Sequence, residues 1–448
     1  MATYYVSMNG NDNFDGLTPQ TAWATTAKVR ECLQGGDTAL FKCGDTFYGG
    51  FRVPDSDDPN TPTVITSYGD GPKPKICCYK KVVDKNAWEQ VSPQIWRVNL
   101  FDETKFIGNV YSKDNNVGFI FADGKIRGFK YYKLEDCRTN WDFYCDYESG
   151  YVYVMYPRNP NEADKEICFA VGGGISLGTN CHVSNLDIFG GGTHGMTAGH
   201  VENGCIENAV ASNLDIHDFG GAQLRSEEHF RIIRFGNGVE FWSGGKNIIV
   251  EDCRIYNIYD VGVTMQGFAL EGVGWKNVIF RRNVFWGNMQ TFEIWTKDEY
   301  STEGMTGCQF VDNICIGSGK CWSYYPRHDR QNGAHLLFYM TRAAKHDILV
   351  ENNVFYDTRE VLYHKSIGAP IDGEIPKDYV TRNNHIFIPK DAYLMNQKYC
   401  YRATELAKMQ EELGLEMGSD IHYLMGEKKP TIDEMIKELA TYVMKSKM

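Results

Sequence analysis

A short phrase recurs along this chain: an Asn or Cys followed by a few apolar or aromatic residues. It stands at Asn185-Leu-Asp-Ile-Phe189, Asn213-Leu-Asp-Ile-His217, Cys253-Arg-Ile-Tyr256, Asn283-Val-Phe-Trp286, Asn313-Ile-Cys-Ile316, Asn353-Val-Phe-Tyr356 and Asn384-His-Ile-Phe387, at offsets of 28, 40, 30, 30, 40 and 31 residues. A strand-like piece precedes most of these phrases, as in Asn247-Ile-Ile-Val-Glu251, and another follows, as in Gly262-Val-Thr-Met-Gln266. Three short strands per near-30-residue period is the signature of a β-solenoid. No single coil can bury its own apolar face, so coils must stack, and insertions are confined to the turns, which accounts for the two offsets of 40. Stacking also explains the Asn positions, because an Asn ladder hydrogen-bonds from coil to coil at a corner.

Composition agrees with such a chain. Of 448 residues, 42% are hydrophobic and 23% charged, which excludes disorder as a description of the whole, while 45 Gly and 13% aromatics suit many strands joined by tight turns. A net charge of -12 works against nucleic acid and against polyanionic glycans unless a local basic patch compensates, and so favours a neutral partner. The 14 cysteines are scattered, with no CxxC pair and no Cys/His cluster at zinc spacing, so neither a disulfide frame, a metal site nor a cofactor is expected. No 18-residue apolar run marks a membrane span, and Met1 to Val6 lacks the start of an export signal. The expectation is a cytoplasmic protein with reduced thiols, or a secreted one if a signal peptide was removed ahead of Met1.

The N-terminal stretch Tyr4-Tyr-Val-Ser-Met-Asn-Gly-Asn-Asp-Asn-Phe-Asp-Gly16, with Ala22-Trp23, Gly36-Asp-Thr-Ala-Leu-Phe41 and Gly44-Asp-Thr-Phe47, resembles the cap and first rung of the right-handed parallel β-helix, pectate-lyase-like superfamily of carbohydrate-active enzymes. The resemblance implies an all-β fold in which a short helix, here about Thr25 to Leu33, plugs one end of the coil. The chain then divides into 1–110, N-terminal cap and first rungs; 111–165, an antiparallel β insertion; 166–398, the main parallel rungs; and 399–448, a C-terminal helical cap. The insertion is read from the alternating Gly118-Phe-Ile-Phe-Ala-Asp123 and Tyr151-Val-Tyr-Val-Met-Tyr156, and the cap from helical apolar spacing in Ala403 to Leu413 and Ile432 to Lys445. Those helices would cover the far end of the solenoid, or form the contact of a homo-oligomer.

Alternation along the third strand of each rung sends every second side chain outward. With Val239, Phe241, Val263, Met265, Phe292 and Ile294 inward, one outer column reads Glu240, Thr264, Glu293 and its neighbour reads Trp242, Gln266, Trp295. At about 4.8 Å per rung the two Glu backbones lie about 9 to 10 Å apart. Glycosidases place two carboxyl groups about 5 to 5.5 Å apart for retention and about 6.5 to 9.5 Å apart for inversion, so Glu240 and Glu293 are the candidate catalytic pair, weakly favouring inversion. Which is acid and which is base stays open. Trp242, Gln266, Trp295, Trp322, Tyr324, Arg225, Gln223 and His364 are the candidate substrate-binding residues, the aromatics because sugar C–H faces stack on them. Asp260 could orient a carboxyl or a water, and His194 could mark one end of the cleft.

Three function classes follow. A glycoside hydrolase acting on neutral oligosaccharides needs paired acids and aromatic platforms. A polysaccharide lyase or uronate epimerase needs a basic groove, for which Arg225, Lys297, Arg327 and Lys365 are available but scattered. A non-catalytic glycan-binding β-helix needs neither. The sequence is also similar to intracellular β-xylosidase-like β-helix enzymes, whose acids sit on neighbouring rungs. The matching position here is Thr264, so no residue is carried over from them.

Overall fold

The computed structural model describes the chain apart from residues 85, 111, 164–165, 203, 225–232, 269–271, 297–302, 328–332, 342–344, 366–374, 377, 425–429 and 446–448, and it describes 163, 200, 339–341, 364–365 and 445 by backbone alone. One rung shows how the sequence folds. Gly245–Glu251, Arg254–Ile258 and Val261–Gly267 are three strands, separated at the first corner by Asp252 in the left-handed region (φ 56°) and at the second by Tyr259 and Asp260. Period-2 alternation turns Ile248, Val250, Ile255, Val263 and Met265 into the core. The next rung repeats this with Trp275–Arg281, Val284–Trp286 and Gln290–Thr296, each strand pairing in parallel with its counterpart.

Repetition builds three long sheets. The first runs from Thr3–Val6 to Tyr379–Arg382, the second from Thr46–Tyr48 to Asp420–Tyr423, and the third from Ile175–Ser176 to the final hairpin of Tyr393–Asn396 and Cys400–Arg402. The chain is therefore an all-β right-handed parallel β-helix with an N-terminal cap, an antiparallel β insertion and C-terminal helices, as expected.

Asn283, Asn313, Asn353 and Asn384 are fully buried and linked in a ladder, each Nδ2 donating to the Oδ1 of the next at 3.0–3.1 Å. Register refines the repeat. Asp187 pairs with Asp215, Asp215 with Arg254 and Arg254 with Val284, so the residues aligned with Asn283 are Leu186, Leu214 and Cys253. Asn185 and Asn213 sit one residue earlier, at the left-handed corner position also held by Asp252, Asp312 and Asn352. They form a separate, exposed rung-to-rung contact, Asn213 Nδ2 donating to Asn185 Oδ1 at 2.7 Å, at a φ > 0 position that Asn tolerates.

Pairing that is antiparallel except between Lys130–Tyr131 and Phe143–Cys145 extends from Tyr79 to Ala170 in two five-stranded sheets around a core that includes Val98, Phe143, Val152 and Phe169. It thus begins within the segment assigned above to the first rungs (1–110) and runs past the expected limits of 111–165. Alternation in Tyr79–Val82 and Ile95–Asn99 suits either sheet type, and only pairing separates them. Two lysines are fully buried here: Lys80 Nζ donates to the Leu100 carbonyl, and Lys130 Nζ to Asn116 Oδ1 and the Val117 carbonyl, each at 2.7 Å.

The N-terminal helix spans Thr26–Cys32, capped by the Thr25 side chain, which accepts from the Lys28 N–H. Asp12 of the N-terminal motif holds that cap, accepting from the Ala24 and Thr25 N–H groups and the Thr25 hydroxyl. At the other end, Leu406–Leu413 buries Met409 against the end of the main core. The last helix, Ile432–Lys445, departs from expectation. It lies along the outer face of the second sheet, with Met435 and Leu439 against Ile314, Ile316, Val354 and Phe387, because those outward residues are apolar where the rest of the face is mixed.

Candidate active site

The third sheet carries the site. Glu240 pairs with Thr264 and Thr264 with Glu293, while Trp242 pairs with Gln266 and Gln266 with Trp295. Both columns read from the sequence are therefore contiguous on three successive rungs. The Trp242 and Trp295 rings approach to 5.7 Å at a tilt of 38°, and Trp242 is 38% exposed beside the nearly buried acids.

Glu240 is enclosed by donors. His194 Nε2 lies 3.0 Å from Oε2, Asn237 Nδ2 donates to Oε1 at 3.3 Å, and Gln266 Nε2 also donates to Oε1. The Asn237 backbone N–H donates to His194 Nδ1, so the ring proton sits on Nε2 and points at Glu240 without any need for an imidazolium. Burial alone would raise the Glu240 carboxyl, but His194, Gln266 and Asn237 more than offset it and hold the group below the ordinary carboxylate value.

Glu293 has the opposite surroundings. Burial, then the neighbouring Asp260 carboxylate and, more weakly, Glu240 raise it, against Arg327 and a bond from Thr264, to about 8. Thr264 Oγ1 lies 3.4 Å from Glu293 Oε2 and 3.5 Å from Gln266 Oε1. The middle rung thus spans the two acids with neutral groups. Arg327 is 2.8 Å from Asp260, and its guanidinium stacks over Tyr259 at 5.1 Å, while Arg234 stacks over the same ring at 4.6 Å.

The remaining candidates are dispersed. Trp322 does not continue the aromatic strip: its Nε1 donates to the Asn257 carbonyl and its ring packs on Phe119 and Tyr259, pinning a loop to the insertion. The strip position on that rung belongs to Tyr339, the register partner of Trp295. Tyr324 donates to Glu360 and lies under Arg359. Gln223 is not on a rung either. It sits in a hairpin with Arg234 and accepts from the Tyr147 hydroxyl of the insertion. Arg225 lies outside the described residues. His364 stands in the Glu293 column two rungs on, through Leu337, and its side chain lies outside the described part.

Sequence reasoning missed Asn237 and the Arg327–Asp260 pair, and saw His194 only as a cleft marker. The one available signal was local: Asn237 between two glycines, three residues before Glu240. A depression in the insertion lined by Arg127, Asn140, Trp141 and Tyr156 contains none of the paired acids.

Three parallel sheets wound in series define a right-handed parallel β-helix. The chain is similar to several solved structures. XylC in complex with xylose matches with a TM-score of 0.51 at 9% identity, over 94% of this chain and 82% of that one. Pectate lyase Pel9A matches at 0.46 and 11% identity over 95% and 79%, and the alginate lyase from Paenibacillus sp. str. FPU-7 at 0.45 and 11% over 88% and 91%. No family model and no curated protein matches the sequence. Among the described residues no helix is long and apolar enough to cross a membrane.

Proposed function

We propose that this protein is a glycoside hydrolase acting on neutral oligosaccharides, with Glu293 as general acid and Glu240 as general base. The observation that carries the reading is the opposed environment of two buried glutamates in one column. Glu240 accepts from three donors and is held ionised, while Glu293 is desolvated beside Asp260 and held protonated at neutral pH. Environments that push two carboxyl groups apart are how one site performs acid and base chemistry together. Glu293 would protonate the leaving glycosidic oxygen as Glu240 removes a proton from water attacking the anomeric carbon. Their two-rung separation, about 9 to 10 Å between backbones, leaves room for that water and favours inversion. His194 and Asn237 orient Glu240, and the exposed face of Trp242 offers a platform for a sugar ring. The bound xylose of XylC, a neutral sugar on a related fold, supports this substrate class.

A uronate lyase is the second reading, and Arg327 beside Glu293 favours it, since a cation there could neutralise a substrate carboxylate. Arg327 already pairs with Asp260, which weakens that role. The deciding experiment incubates the protein with neutral and uronic oligosaccharides while following released sugar and the absorbance of unsaturated uronates. Release from neutral substrates without that absorbance is expected; its appearance overturns the hydrolase. Binding without turnover would leave a glycan-binding module.

A further inference from the structure

We propose that His385, Asp420 and His422 form a binding site for a divalent transition metal, zinc by ligand type, which ties the last strand of the second sheet to its neighbour. His385–Ile388 pairs in parallel with Asp420–Tyr423, with His385 opposite Asp420 and Phe387 opposite His422. Asp420 and His422, two apart in a strand, share a face, and His385 meets them from across the ladder. One donor atom from each residue lies within 4.8 Å of the other two. Asp420 Oδ1 is 2.9 Å from His385 Nδ1 and 3.3 Å from His422 Nε2. Zinc bonds to nitrogen and oxygen of about 2.0–2.2 Å in tetrahedral geometry place ligand atoms roughly 3.3–3.5 Å apart. The Asp420–His422 pair stands at that spacing, and the Asp420–His385 pair, a hydrogen bond at 2.9 Å, would open by about half an ångström on binding the metal.

A second observation points the same way. His422 Nε2 is shielded from solvent and makes no hydrogen bond, a condition a ring nitrogen avoids unless something else takes its lone pair. The rings are also held in place. His422 stacks on Phe387 at 4.4 Å, and Tyr442 of the last helix lies 5.3 Å from His422 and 5.4 Å from His385. Asp420 is half-exposed, which leaves a coordination position open to water. Two imidazoles and one carboxylate suit zinc better than calcium or magnesium, which prefer all-oxygen shells. Among the described residues the strand Asp420–Tyr423 is the edge of its sheet, so a metal there would tie that edge strand to its neighbour.

The test uses the full chain, stripped with a chelator and titrated with Co(II) and then Zn(II). One equivalent of cobalt should bind with visible bands of nitrogen and oxygen ligation and no thiolate charge-transfer band. Zinc should displace it and raise Tm. His422→Ala and, independently, His385→Gln should weaken binding by about tenfold or more and abolish the Tm gain while the metal-free Tm stays near the parent value. No saturable binding, binding unchanged in both variants, or a thiolate band each overturns the proposal. If His422→Ala alone lowers the metal-free Tm, His385→Gln decides.

Discussion

Glu240 and Glu293 are the same side chain in the same sheet face, and what differs is who stands around them. His194 and Asn237 come from the turns that precede Met196 and Val239, whereas Asp260 and Arg327 come from two other corners. Glu240→Gln and Glu293→Gln are each expected to lower kcat by at least about a hundredfold with Tm little changed, measured on a neutral oligosaccharide; full activity in both dismisses the pair. The pH profile should be bell-shaped. Activity falls on the acid side as Glu240 takes up a proton, below the ordinary carboxylate range, and on the alkaline side as Glu293 loses its proton near pH 8. Asp260→Asn, by removing the largest neighbouring negative charge, should move the alkaline limb to lower pH; an unmoved limb argues against Asp260 acting through Glu293. At this scale the two columns were legible because alternation in a strand is strict. His194, Asn237 and Arg327 were not, because turns have no period and their contacts are set by the stacking of distant segments.

The Asn ladder is the element that most directly records rung stacking. Asn313 donates to the Phe280 carbonyl and to Asn353 Oδ1, while its own Oδ1 accepts from Asn283. Asn313→Ala should therefore destabilise by about 2–3 kcal/mol in urea unfolding, since it strands polar groups on both neighbouring rungs. The ladder ends on a carboxyl group. Asn384 Nδ2 and Ser419 Oγ donate to Glu416 Oε2, Tyr363 donates to Oε1, and burial lifts this group from 4.5 to about 8. A raised carboxyl value means that the folded state keeps a proton the unfolded chain has released. This contribution is fully present below about pH 4.5 and is lost as pH rises through 8, by about 1.4 kcal/mol per unit in between. Glu416→Gln should flatten that slope, which Glu293 shares in sign, when Tm is followed from pH 5 to about 8.5. The ladder could be read from the sequence at Asn283, Asn313, Asn353 and Asn384. Its start could not, because Asn185 and Asn213 serve the adjacent corner and look identical in one dimension.

For the molecule as a whole, the solenoid was legible from its repeat, whereas the outer layers were not. The antiparallel insertion begins at Tyr79 and not at the expected 111, because strand alternation does not declare its partner. The last helix forms where its periodicity predicts but covers the second sheet and not the end of the solenoid, since helical periodicity names an apolar face and not what it meets. Removing residues 431–448 should expose Ile314, Ile316, Val354 and Phe387 together, giving self-association visible by light scattering; a monodisperse monomer would show that the helix is dispensable cover.

Because the two acids project from strands of one parallel sheet, their separation is quantised: it can change by whole inter-strand steps and by little else. Thr264 occupies the intervening step. Excising one complete coil, from Cys253 to Arg282, would join Asp252 to Asn283, keep the corner sequence intact, and bring the Glu240 and Glu293 backbones to about 4.8 Å. That is the spacing associated with a covalent glycosyl intermediate rather than direct attack by water. For the proposed hydrolase, the gain or loss of one coil would change the stereochemical outcome while leaving the proposed pair, Glu240 and Glu293, in place.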